Sequence, residues 1–180
     1  MAALQFEVIM SDKNIPIETE VKYLIKMPDI EKLCAIKGVR IKNMIQSYLN
    51  SPSGSTRRVR KIEESGNIEY IFTEKLRISH LSAFENEMHV SENEYNSLLE
   101  EKDLEKTPIV KTRYSFEYKK HIIEIDVYPF WSDVAILEIE LSSEAEKYDI
   151  PEYIIVLKNV TEDKRYKNTN LAKCHDISHF

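Results

Sequence analysis

Charged residues recur at every second position in several short segments of this chain. The first such segment has Glu18, Glu20 and Lys22 at alternate positions, with Val21 and Tyr23 offset by one. Because successive side chains of a β-strand point to opposite faces, this spacing predicts a strand with one charged face and one apolar face. Strands of this kind must form a sheet that buries its apolar face elsewhere.

Seven segments show this alternation, and the sign of the charge is segregated by segment. Four segments carry acidic pairs: Glu18/Glu20, Glu85/Glu87, Glu124/Asp126 and Glu138/Glu140. Three segments carry basic pairs: Arg58/Arg60, Lys75/Arg77 and Lys111/Arg113. A charged strand face is usually just the solvated side of a half-buried sheet. Solvated faces normally mix in Thr, Ser and Gln, however, so seven such segments together favour a functional face.

The chemistry of these pairs indicates two kinds of ligand. Side chains two positions apart on a strand lie about 6.5 to 7 Å apart. Two carboxylates at that spacing can converge on one divalent cation, whereas Lys and Arg pairs suit a multiply charged anion such as a phosphate chain. If the sheet closes on its charged face, its interior becomes a polar tunnel with both kinds of site.

Helical patterns interrupt the strands at four places: residues 27–36, 91–102, 143–148 and 160–173. The second opens with a capping box, in which Ser91 and Glu94 satisfy free amide donors at a helix start. The order of elements therefore predicts a mainly β, α+β fold rather than alternating βαβ units. Amphipathic helices on the outside would cover the apolar face of the strands.

Composition excludes several classes of protein. With 180 residues the chain is long enough for one domain with its own core. Its 3 Gly residues are far apart, so a glycine-rich phosphate loop is excluded and side chains must bind any phosphate. The formal net charge of −6 argues against nucleic acid as a partner. Two distant cysteines and the lack of a long apolar run predict no membrane association and a cytoplasmic location.

The charged segments of this chain resemble those of a known protein family. Glu18, Glu20 and Lys22 form the ExExK signature of the CYTH superfamily, also called triphosphate tunnel metalloenzymes. Further segments resemble the family in the same order: QSYL at 46–49, RVR at 58–60, TEK at 73–75, ENE at 85–87, KTRY at 111–114, EID at 124–126, EIE at 138–140 and VTEDKRYKN at 160–168. We therefore expect a CYTH domain at 15–175, between a leader at 1–14 and a tail at 176–180.

The resemblance implies an eight-stranded closed antiparallel β-barrel with a charged interior, peripheral helices and bound Mg²⁺ or Mn²⁺. The implied metal-binding residues are Glu18, Glu20, Asp126, Glu138 and Glu140, with Glu85, Glu87 and Glu124 as additional acidic tunnel residues. The implied triphosphate-binding residues are Lys22, Arg58, Arg60, Lys75, Lys111, Arg113 and Arg165. In some members of the family a lysine and a tyrosine form a catalytic dyad, which here would be Lys22 with Tyr48.

One position departs from the family pattern. Many relatives have an arginine two residues before the first glutamate of the ENE segment, where this chain has Ala83. Either this cationic contact with the substrate is lost, or Arg77 on the neighbouring strand supplies it. The departure bears on substrate affinity more than on metal binding.

The activity that the resemblance implies is hydrolysis of a terminal phosphoanhydride. We expect tripolyphosphate, or another small molecule carrying a triphosphate, to be the substrate, with pyrophosphate and phosphate as the products of tripolyphosphate. The alternatives are a class IV-type adenylyl cyclase making cyclic AMP, a thiamine or nucleoside triphosphatase, and a non-catalytic module that binds polyphosphate or nucleotide. Relatives occur as monomers and dimers, which allows a homodimer here.

Overall fold

Nine β-strands make up most of the fold. The computed structural model describes residues 17–77 and 82–174, so the leader at 1–14 and the tail at 176–180 lie outside the described residues. The strands are β1 (Ile17–Lys26), β2 (Arg40–Leu49), β3 (Ser55–Glu64), β4 (Asn67–Arg77), β5 (Ser82–Val90), β6 (Ile109–Tyr118), β7 (His121–Val127), β8 (Val134–Leu141) and β9 (Val156–Asn159).

Eight of these strands close into a barrel. All neighbours are antiparallel in the order β5-β4-β3-β2-β6-β7-β8-β1-β9, and β1 also pairs with β5. The start of β1 makes this closing contact, with Glu18 opposite Ala83, while its later part pairs with β9 from Tyr23 onward. The predicted eight-stranded closed antiparallel barrel is therefore confirmed, with β9 as an additional strand.

The apolar face of the strands lies on the outside of the barrel, where other elements cover it. Ile25, Ile123, Leu137 and Ile139 are fully buried there, and they pack in one cluster with Leu33 of a short helix, α1 (Ile30–Cys34). A second helix, α2 (Glu92–Leu99), brings Tyr95 onto the buried side chains Leu49, Val59 and Phe72. Burial of each such side chain contributes about 1.5 to 3 kcal/mol, so the outer layer supplies much of the apolar core.

One end of the barrel is closed by a separate apolar cluster. Tyr48 and Ile136 follow the inward-facing alternation of β2 and β8, and they pack with the buried side chains of Ile109 and Tyr128. Residues from the end of the described chain complete this cluster: Val160, Tyr166, Leu171 and Ala172. The segment from Val160 to Ala172 therefore caps the interior at this end.

The helical predictions were only partly right. Helices α1 and α2 are shorter than expected, and the capping box at Ser91 and Glu94 is confirmed. The helix predicted at 143–148 is wrong, because the Glu146 carboxylate accepts hydrogen bonds from the backbone N–H and hydroxyl of Ser142 at 2.5 and 2.7 Å. Such local bonds compete with a helix. The segment 160–173 forms only a 3₁₀ turn (Lys164–Tyr166) and a one-turn helix, α3 (Asn168–Leu171).

No helix within residues 17–77 and 82–174 is long and apolar enough to cross a membrane.

Candidate active site

The barrel encloses a cavity of about 620 Å³ lined mainly by charged side chains. Within the described residues, eight basic side chains line it: Lys22, Lys42, Arg58, Arg60, Lys75, Lys111, Arg113 and Lys167. Seven acidic side chains line it as well: Glu18, Glu20, Glu85, Glu87, Glu124, Glu138 and Glu140. The strand alternation thus brings most of the residues predicted from sequence to one internal surface.

The wall of this cavity is divided into a basic half and an acidic half. The adjacent strands β4, β3, β2 and β6 supply every basic side chain that lines it within the described residues, except Lys22 and Lys167. The adjacent strands β7, β8, β1 and β5 supply all the acidic ones. The segregation of sign along the sequence therefore becomes a separation of charge across the cavity.

Among the described residues, Lys22 is the one strand-borne cation that lines the acidic half of the cavity. Its Nζ lies 2.5 Å from a carboxylate oxygen of Glu138, its direct partner on β8, and 3.7 Å from Glu20. Burial alone would lower the pKa of Lys22, but the Glu138 and Glu20 carboxylates raise it above its usual value. Lys22 is therefore a permanently charged ammonium at neutral pH.

Asp126 lies at the centre of a buried ion network. Its carboxylate accepts from Lys111 Nζ at 2.5 Å and from Arg113 Nε and Nη2 at 2.7 and 2.8 Å. Arg113 also donates to Glu138 at 2.6 Å and contacts Glu124. Burial opposes ionisation of Asp126, yet Arg113 and Lys111 hold its pKa below the usual value. Asp126 is fully buried and is not among the lining residues, so its observed contacts orient two cations.

A second network joins the two halves where β4 meets β5. Lys75 contacts Glu18 and lies 2.7 Å from Glu85, and Arg58 Nη2 donates to Glu85 at 2.7 Å. Burial, together with a hydrogen bond that the protonated Glu18 carboxyl donates to its neighbour Glu85, raises the pKa of Glu18 to about 8. Burial would also raise the pKa of Glu85, but the Arg58 guanidinium outweighs this effect and lowers the pKa of Glu85. The two carboxyl groups therefore share one proton more readily than both ionise.

Arg60 completes the basic wall. Its Nη2 donates to the hydroxyl of Thr73 at 3.1 Å and contacts Glu87. Burial and the neighbouring Arg58 lower the pKa of Arg60 to about 10, so it is still protonated at neutral pH. Repulsion between Arg58 and Arg60 is offset by Glu87, which contacts Arg60 and lies 3.6 Å from Arg58.

The acidic half has the donor chemistry of a site for a hard divalent cation. Glu20 and Glu140 are direct partners across β1 and β8, and burial together with the Glu124 carboxylate raises the pKa of Glu140. Mg²⁺ and Mn²⁺ prefer carboxylate oxygens. Across residues 17–77 and 82–174, no three acidic, His or Cys side chains converge tightly enough to hold an ion. Lys22, Lys75 and Arg113 engage several of these carboxylates instead.

Tyr48 lies where the basic wall meets the closed end. Its side chain is 4% exposed and lines the cavity. Burial raises the pKa of Tyr48 to about 12, although Arg58 and Lys22 partly offset this effect. The hydroxyl therefore remains a phenol at neutral pH and can serve as a hydrogen-bond donor.

Of the residues expected to bind substrate, Arg165 lies away from the cavity lining and the side chain of Arg77 is outside the described part of the chain. Arg165 donates to Asp163 from Nε at 2.8 Å and from Nη2 at 2.6 Å, and it is not among the lining residues. The backbone of Arg77 ends β4, but its side chain lies outside what the structure describes. Ala83, where relatives carry arginine, does line the cavity.

Sequence reasoning missed several lining residues. Lys42 and Gln46 lie on the inward face of β2, and the alternation backward from Tyr48 was a signal that could have found them. Thr161, Lys167, Asn168 and Thr169 reach the cavity from the capping segment. The backbone of Lys22 donates to Thr161 Oγ1 at 2.9 Å, and Tyr128 Oη donates to Asn168 Oδ1 at 2.8 Å. No periodic pattern in that irregular segment could have indicated these contacts.

Comparison with known proteins identifies the family to which this barrel belongs. The family model for the CYTH domain matches residues 16–169, and the chain belongs to this family. A comparison with curated proteins gives no match.

Solved structures agree with this assignment. The inorganic triphosphatase NE1496 is 28% identical, over 87% of this chain and 94% of its own, with a TM-score of 0.54. The PH1012 protein from Pyrococcus horikoshii OT3 is 22% identical, over 71% and 79% of the two chains, with a TM-score of 0.55. The PH1819 protein from the same organism is 21% identical, over 70% and 80%, with a TM-score of 0.53. The two Pyrococcus proteins are evidence for the fold alone.

Proposed function

We propose that this protein is a metal-dependent hydrolase of triphosphates, with inorganic tripolyphosphate as the first candidate substrate. The observation that carries the proposal is the division of the cavity wall, since cations on β4, β3, β2 and β6 face carboxylates on β7, β8, β1 and β5. The similarity to the inorganic triphosphatase NE1496 supports the choice of substrate.

The basic half has the properties needed to bind a phosphate chain. Arg58, Arg60 and Arg113 offer planar donor groups that can bind two phosphate oxygens at once, and Lys75 and Lys111 offer compact charges. Phosphoryl transfer depends mainly on positioning and on neutralising charge at the phosphoryl oxygens. Because Asp126 fixes Arg113 and Lys111 in place, these cations need little reorganisation when the substrate binds.

The acidic half would hold the metal. Glu18, Glu20 and Glu140 are the proposed ligands, with Glu138 beside them. A divalent cation there would neutralise phosphate charge and lower the pKa of a water bound to it. Glu138 is held by Lys22 and Arg113, so it is better suited to orient these cations than to act as a free ligand.

Lys22 and Tyr48 are proposed to act on the phosphoryl group itself. Lys22 is charged at neutral pH and lines the cavity on its acidic half, so it would stabilise negative charge on the phosphoryl group that is cleaved. Tyr48 would donate a hydrogen bond from its neutral hydroxyl. Both interactions strengthen as charge develops in the transition state.

Phosphate release tests this proposal directly. Tripolyphosphate, ATP and thiamine triphosphate are each assayed with Mg²⁺, Mn²⁺ or EDTA, together with an assay for cyclic AMP. Rapid metal-dependent release confined to tripolyphosphate is expected. Formation of cyclic AMP would instead indicate a cyclase, and release from thiamine triphosphate or ATP alone would change the substrate.

The variant Glu20→Gln separates an enzyme from a binding module. Removal of this carboxylate should abolish metal-dependent turnover while the barrel stays folded. In a module that only binds anions, loss of a negative charge from the cavity should leave tripolyphosphate affinity unchanged or raise it, and the wild-type protein should release no phosphate. Ser142→Ala, outside the cavity, is the matched control for handling and folding.

A further inference from the structure

Gln46 is a buried amide in the wall of the cavity whose role the proposed chemistry leaves open. It lies on the inward face of β2 between Met44 and Tyr48, it is 1% exposed, and it lines the cavity. A buried amide is costly unless it forms hydrogen bonds. Met44, two residues earlier on the same face, is also buried and is a side chain of similar length without polar hydrogens. The amide therefore calls for a specific reason.

The hydrogen bond of Gln46 supplies one. Its Nε2 donates to Tyr48 Oη at 2.7 Å, and both side chains are buried. A phenol hydroxyl has one hydrogen to donate and can accept hydrogen bonds at its oxygen. Because Gln46 fills an accepting position, the hydroxyl hydrogen of Tyr48 stays available for another acceptor. The packing of the Tyr48 ring with Ile109, Tyr128 and Ile136 limits the directions in which that hydrogen can point.

We infer that Gln46 is a positioning residue that directs the Tyr48 hydroxyl hydrogen towards a phosphoryl oxygen of the bound triphosphate. The inference rests on the proposed function, since it takes a triphosphate as the occupant of the cavity. It adds a residue that acts through Tyr48. It also assigns Tyr48 the role of a hydrogen-bond donor whose direction the protein sets in advance.

The charged groups around Tyr48 support this direction of the hydroxyl hydrogen. Arg58 and Lys22 lie close enough to affect the pKa of Tyr48, and both line the same cavity. Cations have no accepting atom for the phenol hydrogen. A phosphoryl oxygen held by these two cations would lie next to the hydroxyl and would accept its hydrogen bond.

A double-mutant cycle tests the inference. The wild type, Gln46→Met, Tyr48→Phe and the double variant are compared for phosphate release from tripolyphosphate with Mg²⁺, and for tripolyphosphate affinity by calorimetry. Gln46→Met should lower kcat about tenfold, which corresponds to one hydrogen bond, with little change in KM. Tyr48→Phe should lower it at least as much, and the double variant should be no slower than Tyr48→Phe.

Each outcome has a defined meaning. If the losses multiply in the double variant, Gln46 does not act through Tyr48 and the inference is overturned. Ser47→Ala, on the opposite face of β2, should leave kcat unchanged, and melting temperatures exclude variants that fail to fold. If the wild type binds tripolyphosphate without releasing phosphate, the hydrolase proposal fails while the same cycle, read in affinity, still decides the role of Gln46. Absence of binding overturns both.

Discussion

The replacement Asp126→Asn should destabilise the protein strongly without any metal being involved. Asp126 is fully buried, and its two oxygens serve Lys111 Nζ and the guanidinium of Arg113. Asparagine has nearly the same shape but no charge. Arg113 would retain Glu124 and Glu138, whereas the Lys111 ammonium, whose side chain is 3% exposed, would lose the carboxylate it contacts.

The magnitude follows from the cost of leaving a buried charge uncompensated. Removal of one partner of a buried ion pair costs about 3 to 5 kcal/mol, a large part of the roughly 5 to 15 kcal/mol that stabilises a typical domain. Urea unfolding should therefore show a midpoint lower by about 1 to 3 M. Lys111→Met, which keeps the bidentate contact between Asp126 and Arg113, should cost less, and the double variant should recover part of the loss.

The assay also separates this role from that of a metal ligand. Urea unfolding is measured in EDTA and in Mg²⁺ for the wild type, both single variants and the double variant. The loss should be equal in the two conditions, because the network contains only protein groups. A cost below about 1 kcal/mol, or no recovery in the double variant, would refute the role of Asp126 as the counter-charge of Lys111. A loss seen only in Mg²⁺ would instead indicate that Asp126 is a metal ligand.

Three further predictions concern other parts of the barrel. The pKa of Glu18 is about 8 in the folded chain, against 4.5 for an unperturbed Glu side chain. Between these two pH values the folded state holds a proton that the unfolded state releases, so the free energy of unfolding falls as the pH rises. Glu18→Gln should remove this fall, measured by urea unfolding in EDTA, and an unchanged dependence of stability on pH would contradict the prediction. Ser91→Ala removes the cap of α2 and should cost about 0.5 to 2 kcal/mol in thermal unfolding. Leu171→Ala should open a void in the fully buried cluster at the closed end and cost about 2 to 5 kcal/mol, and a cost near zero would show that the capping segment is not packed there.

The strands and their inward faces could be predicted because a strand has a strict period of two. With Glu18 and Glu20 on one face, the alternation places the charged pairs of the other segments on corresponding faces. The barrel confirms this for the described side chains, which include Lys75 but not its pair member Arg77. The same rule extended back from Tyr48 would have found Gln46 and Lys42. These residues were overlooked because neither belongs to a pair of like charges.

How deeply each inward-facing charged side chain is buried could not be predicted from this alternation. Asp126 and Glu124 have the same spacing as Glu138 and Glu140, yet only Asp126 is enclosed by a lysine and an arginine from β6. That difference arises from which strands become neighbours. The capping segment was harder still, since Arg165 turns back to Asp163 while Lys167 and Asn168 reach the cavity. A chain of turns has no periodicity from which a direction could be read.

The segregation of charge by strand explains how this interior tolerates so many ionised groups. Like charges two positions apart repel each other, and a strand carrying such a pair would be unstable inside an apolar core. In the barrel, the basic strands β3, β4 and β6 contribute Arg58, Lys75 and Arg113, each of which reaches a carboxylate of the acidic half. The two halves thus neutralise each other in the absence of ligand. An anion or a cation entering alone would break these pairs and leave the opposite half uncompensated, whereas a metal and a polyphosphate entering together replace both partners at once. An interior divided in this way is therefore suited to a metal-bound polyanion more than to either ion alone.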